Sequence, residues 1–280
     1  MKLGTSKNGC AVLIKDESYL PLSSLGFEGS LKNLICAGST EIELVREAAR
    51  YANHFIPLVE NELDAPYYDP SKIVAIGLNY IDHAAESKMQ IPNHPLIFTK
   101  FTSSITGPYD DVLIPTALTS QPDYEVELGV IIGKYAKNVS EEEALDYIFG
   151  YTVLNDVSAR DIQFADGQWV RGKSLDTFCP YGPYIITADE IPDPANLDLS
   201  LTLNGQILQS ANTCDMIFSV AKAISLLSRS FTFAPGDLIA TGTPSGVGFS
   251  RKPPIYLQDG DEMITEVKQI GKLINKVKAV

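Results

Sequence analysis

The sequence predicts an α+β fold rich in strands, in which a small N-terminal α+β unit precedes a larger strand-dominated domain. Three observations carry this expectation. Strand-like runs outnumber helical ones along the chain. Short turns such as Asn204-Gly205, Pro235-Gly236-Asp237 and Asp259-Gly260-Asp261 join many of them. Strand and helix also fail to alternate in the regular manner of a parallel α/β protein. With 280 residues, 45% hydrophobic and 20% charged, the chain can bury a sizeable core. No internal repeat is visible.

The first 70 residues read as the small unit. Ala11 to Ile14 and Tyr19 to Leu22 flank the polar Lys15-Asp16-Glu17-Ser18, which suggests a hairpin. A helix is expected next, because Thr40 and Glu43 have capping-box spacing and Ile42, Val45, Ala49, Ala52 and Ile56 then recur at helical intervals. Pro66 and Pro70 close the segment, so the boundary falls near residue 70. Residues 71–280 form the second domain. Its expected strands are Lys72 to Leu78, Val112 to Ile114, Tyr124 to Ile132, Tyr151 to Asn155, Tyr184 to Thr187, Leu197 to Leu203, Leu238 to Thr241 and Glu262 to Val267. Helices are expected after Ser140, with Glu143 completing a capping box, and over Met216 to Ser228.

Charge narrows the partners. With 22 Lys+Arg against 35 Asp+Glu the chain carries −13, which repels polyphosphate, so no nucleic-acid or anionic-membrane partner is expected. Met1 to Gly9 has no apolar export segment and no long apolar window follows, so a soluble, cytoplasmic protein acting on small molecules is expected. Cys10, Cys36, Cys179 and Cys214 are scattered, and buried reduced thiols are expected.

The sharpest local signal is Pro122-Asp123-Tyr124-Glu125-Val126-Glu127-Leu128-Gly129-Val130. In a strand, Tyr124, Val126, Leu128 and Val130 share one face, and Glu125 and Glu127 share the other. That pair is either the solvated side of a half-exposed strand or part of a site. Asp156, at the end of the 151–155 strand, is either a cap or a third carboxylate. Three carboxylates together would suit a hard divalent cation, Mg²⁺ or Mn²⁺ before Ca²⁺.

His83 and Glu86 lie three apart on an expected helix start capped by Asn79 or Asp82, so the carboxylate can orient and polarise the imidazole. His54 and His94 read as ordinary surface groups. Lys173, beside Gly172, is either a solvated lysine or an anion contact, and Thr241 to Gly248 offers amides and hydroxyls after a strand. The nucleotide-binding loops and the Gly-x-Ser-x-Gly nucleophile motif do not fit.

Taken together, five ordered segments resemble the fumarylacetoacetate hydrolase family over about residues 70 to 280. They are Gly77 to Glu86, Asp123 to Leu128, Asn155 to Gln163, Gly172-Lys173-Ser174 and Thr241 to Gly248. The ending Gly248 to Asp261 resembles the branch called fumarylacetoacetate hydrolase domain-containing protein 2, and the N-terminal unit is similar to the small domain of many bacterial members. The resemblance implies a mixed β-sandwich roll, usually a homodimer. It also implies Mg²⁺ or Mn²⁺ held by Glu125, Glu127 and Asp156, a water-activating dyad of His83 and Glu86, and Lys173 stabilising an enolate. Gln163 would position water or substrate, while Arg160 and Thr243 would contact the oxygens of a small anionic oxo acid. Some relatives have Arg where this chain has Leu78, which removes a possible anion contact.

The expected activity is metal-dependent hydrolysis of a C–C bond in 2,4-dioxo acids such as acylpyruvates. The alternative is tautomerisation or decarboxylation of oxaloacetate, or isomerisation of 2-hydroxyhepta-2,4-diene-1,7-dioate, on the same site. All of these stabilise negative charge on a carbon next to a carbonyl. Glu86 to Pro95, with its Lys, Asn and two Pro, is a candidate mobile cover.

Overall fold

In the computed structural model, which describes residues 1–280, the centre is a twelve-stranded mixed sheet. Its middle strand, Val126–Ile132, is buried at every position. A strand covered on both faces reads as a nearly continuous apolar run, and Glu127 is the one charge within it. It pairs antiparallel with Ile148–Asn155 on one side and Leu238–Ala240 on the other. Leu238–Ala240 pairs in parallel with Ile73–Gly77, whose other edge carries Leu96–Thr99. On the opposite side, Ile148–Asn155 pairs with Cys179–Thr187, which pairs in turn with Lys2–Ser6.

A five-stranded sheet packs over one face, in the order Gln206–Asn212, Asp198–Leu203, Glu262–Val267, Gly271–Ala279, Val112–Ile114. Its strands alternate between buried and open positions, as period two requires for a sheet with one wet face. Leu199, Leu201, Met263 and Val267 share one core with Val126, Leu128 and Val130 of the main sheet. The opposite face is covered by helices Leu31–Ala37 and Ser39–Tyr51, whose Leu31, Leu34, Ile35 and Val45 pack with Ile131, Leu154, Ile185 and Leu238. Each such side chain stabilises by about 1.5–3 kcal/mol when fully buried. The result is the expected α+β, mixed β-sandwich, with the central strand in both cores.

Several local expectations change. The hairpin forms between Ala11–Lys15 and Ser18–Pro21, but the real capping box lies earlier, between Ser30 and Asn33 at the start of Leu31–Ala37. Ser39–Tyr51 starts behind Gly38 without a side-chain cap, so Thr40 does not cap it. The main sheet and its helix-side core both continue across residue 70. Ser140 does accept the Glu143 amide, yet only a 3-10 turn, Ala144–Tyr147, forms, because Ile148 is drawn into pairing with Ile132. The later helix runs Val220–Ser230 with Ser219 as cap. Cys10, Cys36 and Cys214 are exposed and only Cys179 is buried, correcting the expected buried thiols. Of the four, only Cys179 sits in an apolar strand shared with the core. No helix is long and apolar enough to cross a membrane.

Candidate active site

Sheet register assembles the acidic centre. Val126 faces Asn155 across the antiparallel pair, and the Asp156 amide donates to the Glu125 carbonyl at 2.9 Å. The start of one strand and the end of its neighbour therefore bring Glu125 and Asp156 side by side, with Glu127 two residues along on the same face as Glu125. One carboxylate oxygen from each lies within 4.8 Å of the others. All three are buried, at 4%, 1% and 0% exposure for Glu125, Glu127 and Asp156. A solvated acidic strand face is thereby excluded.

Two loops close over this centre because they leave parallel neighbouring strands at the same end. Asn79 joins them: its amide group donates to Thr241 O at 2.7 Å and Phe218 O at 3.0 Å, and its Oδ1 accepts from the Phe218 amide. Asn79 is thus a strut between loops; the helix Ile81–Glu86 has no side-chain cap. Gly242 sits at φ +99°, where a Cβ would lie 2.7 Å from that of Asn79. The tight approach lets the Gly242 amide donate to Glu127 Oε2 at 2.8 Å.

Three buried cations face the acids. Lys173 Nζ donates to Glu125 Oε2 at 2.7 Å and Asp156 Oδ2 at 2.8 Å. Arg160 donates to Glu125 at 2.6 Å, Asp123 at 2.8 Å and Gln163 at 2.9 Å. Arg160 and Gln163 share a face as neighbours three apart on the helix Arg160–Asp166. Gly172 allows the next helix to pack there, since a Cβ would stand 2.6 Å from the Gln163 amide. Lys100 is the third cation, with Nζ 2.6 Å from Asp156 Oδ1 and also donating to the carbonyls of Val157 and Lys173.

The charges settle unevenly. Burial alone would raise the Glu125 pKa, but the charges of Lys173 and Arg160 bring it down to about 2. Burial would lower that of Lys173, but Asp156 and Glu125 outweigh it, so the amine stays an ammonium. Glu127 has only an amide donor, and burial, with the charges of Asp156 and Glu125, pushes its carboxyl well above the usual range. An all-oxygen donor set with one carboxylate left uncompensated fits a hard divalent cation, which would hold Glu127 ionised.

His83 is buried. Its Nδ1 has no hydrogen-bond partner and lies 3.7 Å from Glu86 Oε2, within ion-pair reach but beyond a hydrogen bond. The Glu86 carboxylate accepts from the Gly246 amide at 3.1 Å. Burial raises the Glu86 pKa, but neighbouring His83, Ser250 and that amide bring it below its ordinary value. Thr243 Oγ1 accepts from Gln209 Nε2 at 2.8 Å, which leaves its proton free to donate. His83, Arg160, Gln163, Lys173 and Thr243 line one cleft with Glu125 and Glu127, while Glu86 and Asp156 stand outside its lining. His54 and His94 are exposed and far simpler.

Comparison with known proteins then fixes the family. Residues 72–278 match the model for the fumarylacetoacetate (FAA) hydrolase C-terminal domain. The chain belongs to this family. Within the fumarylacetoacetate hydrolase family it is 44% identical to rat mitochondrial oxaloacetate tautomerase Fahd2a over 241 residues, covering 86% of this chain and 77% of that one. It is 49% identical over 237 residues to the Dictyostelium discoideum fumarylacetoacetate hydrolase domain-containing protein 2 homolog, covering 81% and 77%. Among solved structures it resembles maleylpyruvate hydrolase from Sphingobium sp. SYK-6 in complex with manganese(II) and pyruvate. That match has a TM-score of 0.84 and 33% identity, and covers 100% of this chain and 99% of that one.

Lys100, Asp123 and Gln209 were missed by sequence reasoning. Asp123 is fully buried and accepts from Arg160 and from the amides of Gly248 and Phe249. It belonged to a quoted motif, but nothing local set it apart from a turn residue. Lys100 follows directly after the edge strand Leu96–Thr99, and Gln209 lies on the second sheet. Neither position carries a spacing signal, because each reaches the site only through tertiary packing.

Proposed function

We propose that this protein is a divalent-metal-dependent oxo-acid enzyme whose principal reaction is enol–keto tautomerisation of a small 2-oxo acid, with oxaloacetate as the first substrate to test. The observation that carries the reading is the Lys173 ammonium, held by Glu125 and Asp156 on the floor of a cleft that His83 also lines. An enolate needs positive charge beside its oxygen and a group that exchanges a proton at carbon 3. A bound Mg²⁺ or Mn²⁺, held by Glu125, Glu127 and Asp156, would polarise the oxo group as a Lewis acid. Arg160 and Thr243 orient the carboxylate and oxo oxygens, with Gln163 fixing Arg160. Lys173 opposes the enolate charge, and His83 takes and returns the proton at carbon 3.

Tautomerisation needs no attacking water, so Lys173 and His83 suffice for it, whereas the hydrolysis first expected also needs His83 and Glu86, 3.7 Å apart, to close into a hydrogen-bonded dyad. The names of the rat and human relatives point the same way. Hydrolytic C–C cleavage is the second reading, favoured by the placement of that pair on one helix face and by the likeness to maleylpyruvate hydrolase. The deciding measurement follows enol-oxaloacetate ketonisation and pyruvate release from acylpyruvates by the Mn²⁺-loaded protein, each against metal alone. Pyruvate release without faster ketonisation would replace tautomerase with hydrolase. A homodimer belongs to the same proposal and light scattering tests it. The cytoplasmic placement is a further proposal, which the mitochondrial names of the rat and human relatives oppose, and imaging of a tagged chain decides it.

A further inference from the structure

The cleft has two unlike halves. Its floor is charged and buried: Glu125, Glu127, Arg160, Gln163, Lys173 and Thr243 are each at most 4% exposed. Its rim is apolar and formed by Leu78, Met89, Phe98, Phe164, Trp169 and Phe249, with Met89 46% and Phe164 55% exposed. The rim begins directly beside the cations of the floor. Lys173 Nζ lies 5.0 Å from the centre of the Phe98 ring, and Arg160 Cζ lies 4.6 Å from that of Phe249. Phe98 stands edge-on to Trp169 and Phe164 edge-on to Phe249, with ring centres 5.5 Å and 5.4 Å apart, so each wall is braced by a second ring.

Both cations lining the cleft are anchored to the floor by protein acceptors, where the oxo-acid end would meet them. Arg160 donates to Asp123, Glu125 and Gln163, and Lys173 donates to Glu125 and Asp156. Among the buried polar atoms lining the cleft, those without a partner are the Ser87 hydroxyl and His83 Nδ1. A carboxylate placed at the rim would lose water without gaining a counter-charge, whereas an aromatic group would meet surfaces of its own kind.

We propose that this site, resting on the tautomerase reading above, selects 2-oxo acids that carry one carboxylate and an aromatic or bulky apolar group on carbon 3, in preference to dicarboxylic oxo acids. Floor and rim divide the substrate: the oxo-acid end meets the charged groups, and the carbon 3 substituent meets Met89, Phe98 and Trp169. The reaction is balanced without a co-reactant. Ketonisation breaks the enol O–H bond and forms a C–H bond at carbon 3, one proton leaving as another is delivered.

The test uses the full chain loaded with Mn²⁺ and follows the ultraviolet absorbance of enol-phenylpyruvate and enol-oxaloacetate, each corrected for metal alone. The expected result is a kcat/KM for phenylpyruvate about tenfold or more above that for oxaloacetate. Met89→Lys, on the exposed rim, should reduce this ratio about tenfold, chiefly through KM. Leu78→Arg should act in the same direction from deeper in the cleft. Leu78 is buried at φ +54°, so circular dichroism checks its folding and Met89→Lys decides if it fails. Faster turnover of oxaloacetate than of phenylpyruvate overturns the selectivity and leaves the tautomerase reading standing. A phenylpyruvate preference that Met89→Lys leaves unchanged overturns its assignment to the rim. If neither enol is turned over faster than by metal alone, the tautomerase reading fails and the selectivity falls with it.

Discussion

Lys173 shows how much a single side chain is asked to do. Its ammonium is 2% exposed and bridges two carboxylates, so removing it leaves buried Glu125 and Asp156 with one cation each, Arg160 and Lys100, in place of two. Lys173→Met is expected to destabilise the metal-free protein by about 3–5 kcal/mol. Thermal melts with and without Mn²⁺ check this, because the ion should restore much of the loss. Turnover should stay low in the loaded variant, by about 10²–10³ in kcat, since the enolate loses its nearest side-chain cation. Lys100 works from behind the site: one ammonium holds Asp156 Oδ1 and the carbonyls of Val157 and Lys173. Lys100→Met should weaken Mn²⁺ binding about 10–100-fold, read by titration calorimetry, because an outer partner orients the ligand it touches. Unchanged affinity would show that Asp156 needs no such partner.

At the scale of elements, strand register and loop geometry set the site. Gly242 takes a conformation that side chains avoid and sits against Asn79. Gly242→Ala should therefore cost about 1–3 kcal/mol and disturb the amide that serves Glu127. A melt unchanged from the parent would show that the loop relaxes freely. Ser219→Ala provides the contrast, since it removes only the cap of Val220–Ser230. It should lower stability by about 1 kcal/mol, or about 2–4 °C in Tm, with kcat unchanged. The strands expected from the sequence are present to within a few residues, because burial on both faces writes itself into apolar runs in the main sheet and one wet face writes itself into alternation in the second. The helix after Ser140 was misjudged because local capping geometry lost to sheet pairing at Ile148. Gly271–Ala279 was overlooked because its polar positions, Lys272, Asn275, Lys276 and Lys278, obscure the inward Leu273 and Val277.

For the whole molecule, metal, pH and stability are linked through Glu127. Its folded-state pKa lies above the ordinary glutamate value of 4.5, so without metal the native state binds more protons than the unfolded chain above that pH. Stability of the metal-free protein therefore falls as pH rises from 4.5 through the raised folded value. A bound cation keeps Glu127 ionised and removes that slope. The difference in Tm between Mn²⁺-loaded and chelated protein should widen as pH rises through this window, and a constant or shrinking difference would rule the linkage out. The net charge of −13 leaves an acidic exterior, so on the proposed function an anionic substrate would have to be drawn in locally by the cation, Arg160 and Lys173.

By itself the sequence determined that the chain is a strand-rich α+β protein and marked the segments that meet around the candidate site. Both properties are local: period two and apolar runs mark strands, and Glu125, Glu127, Asp156, His83, Glu86, Arg160, Gln163, Lys173 and Thr243 lie within short ordered motifs. Only the tertiary structure decided which side chains meet. It placed Asp156 beside Glu125 through antiparallel register, brought Lys100 in from just beyond an edge strand and turned Asn79 from a cap into a strut. It also held His83 3.7 Å from Glu86, too long for a hydrogen bond. The reason is physical: contact between residues as far as 162 positions apart, as Asn79 and Thr241 are, depends on how sheets stack and loops close, and no short window of sequence records that.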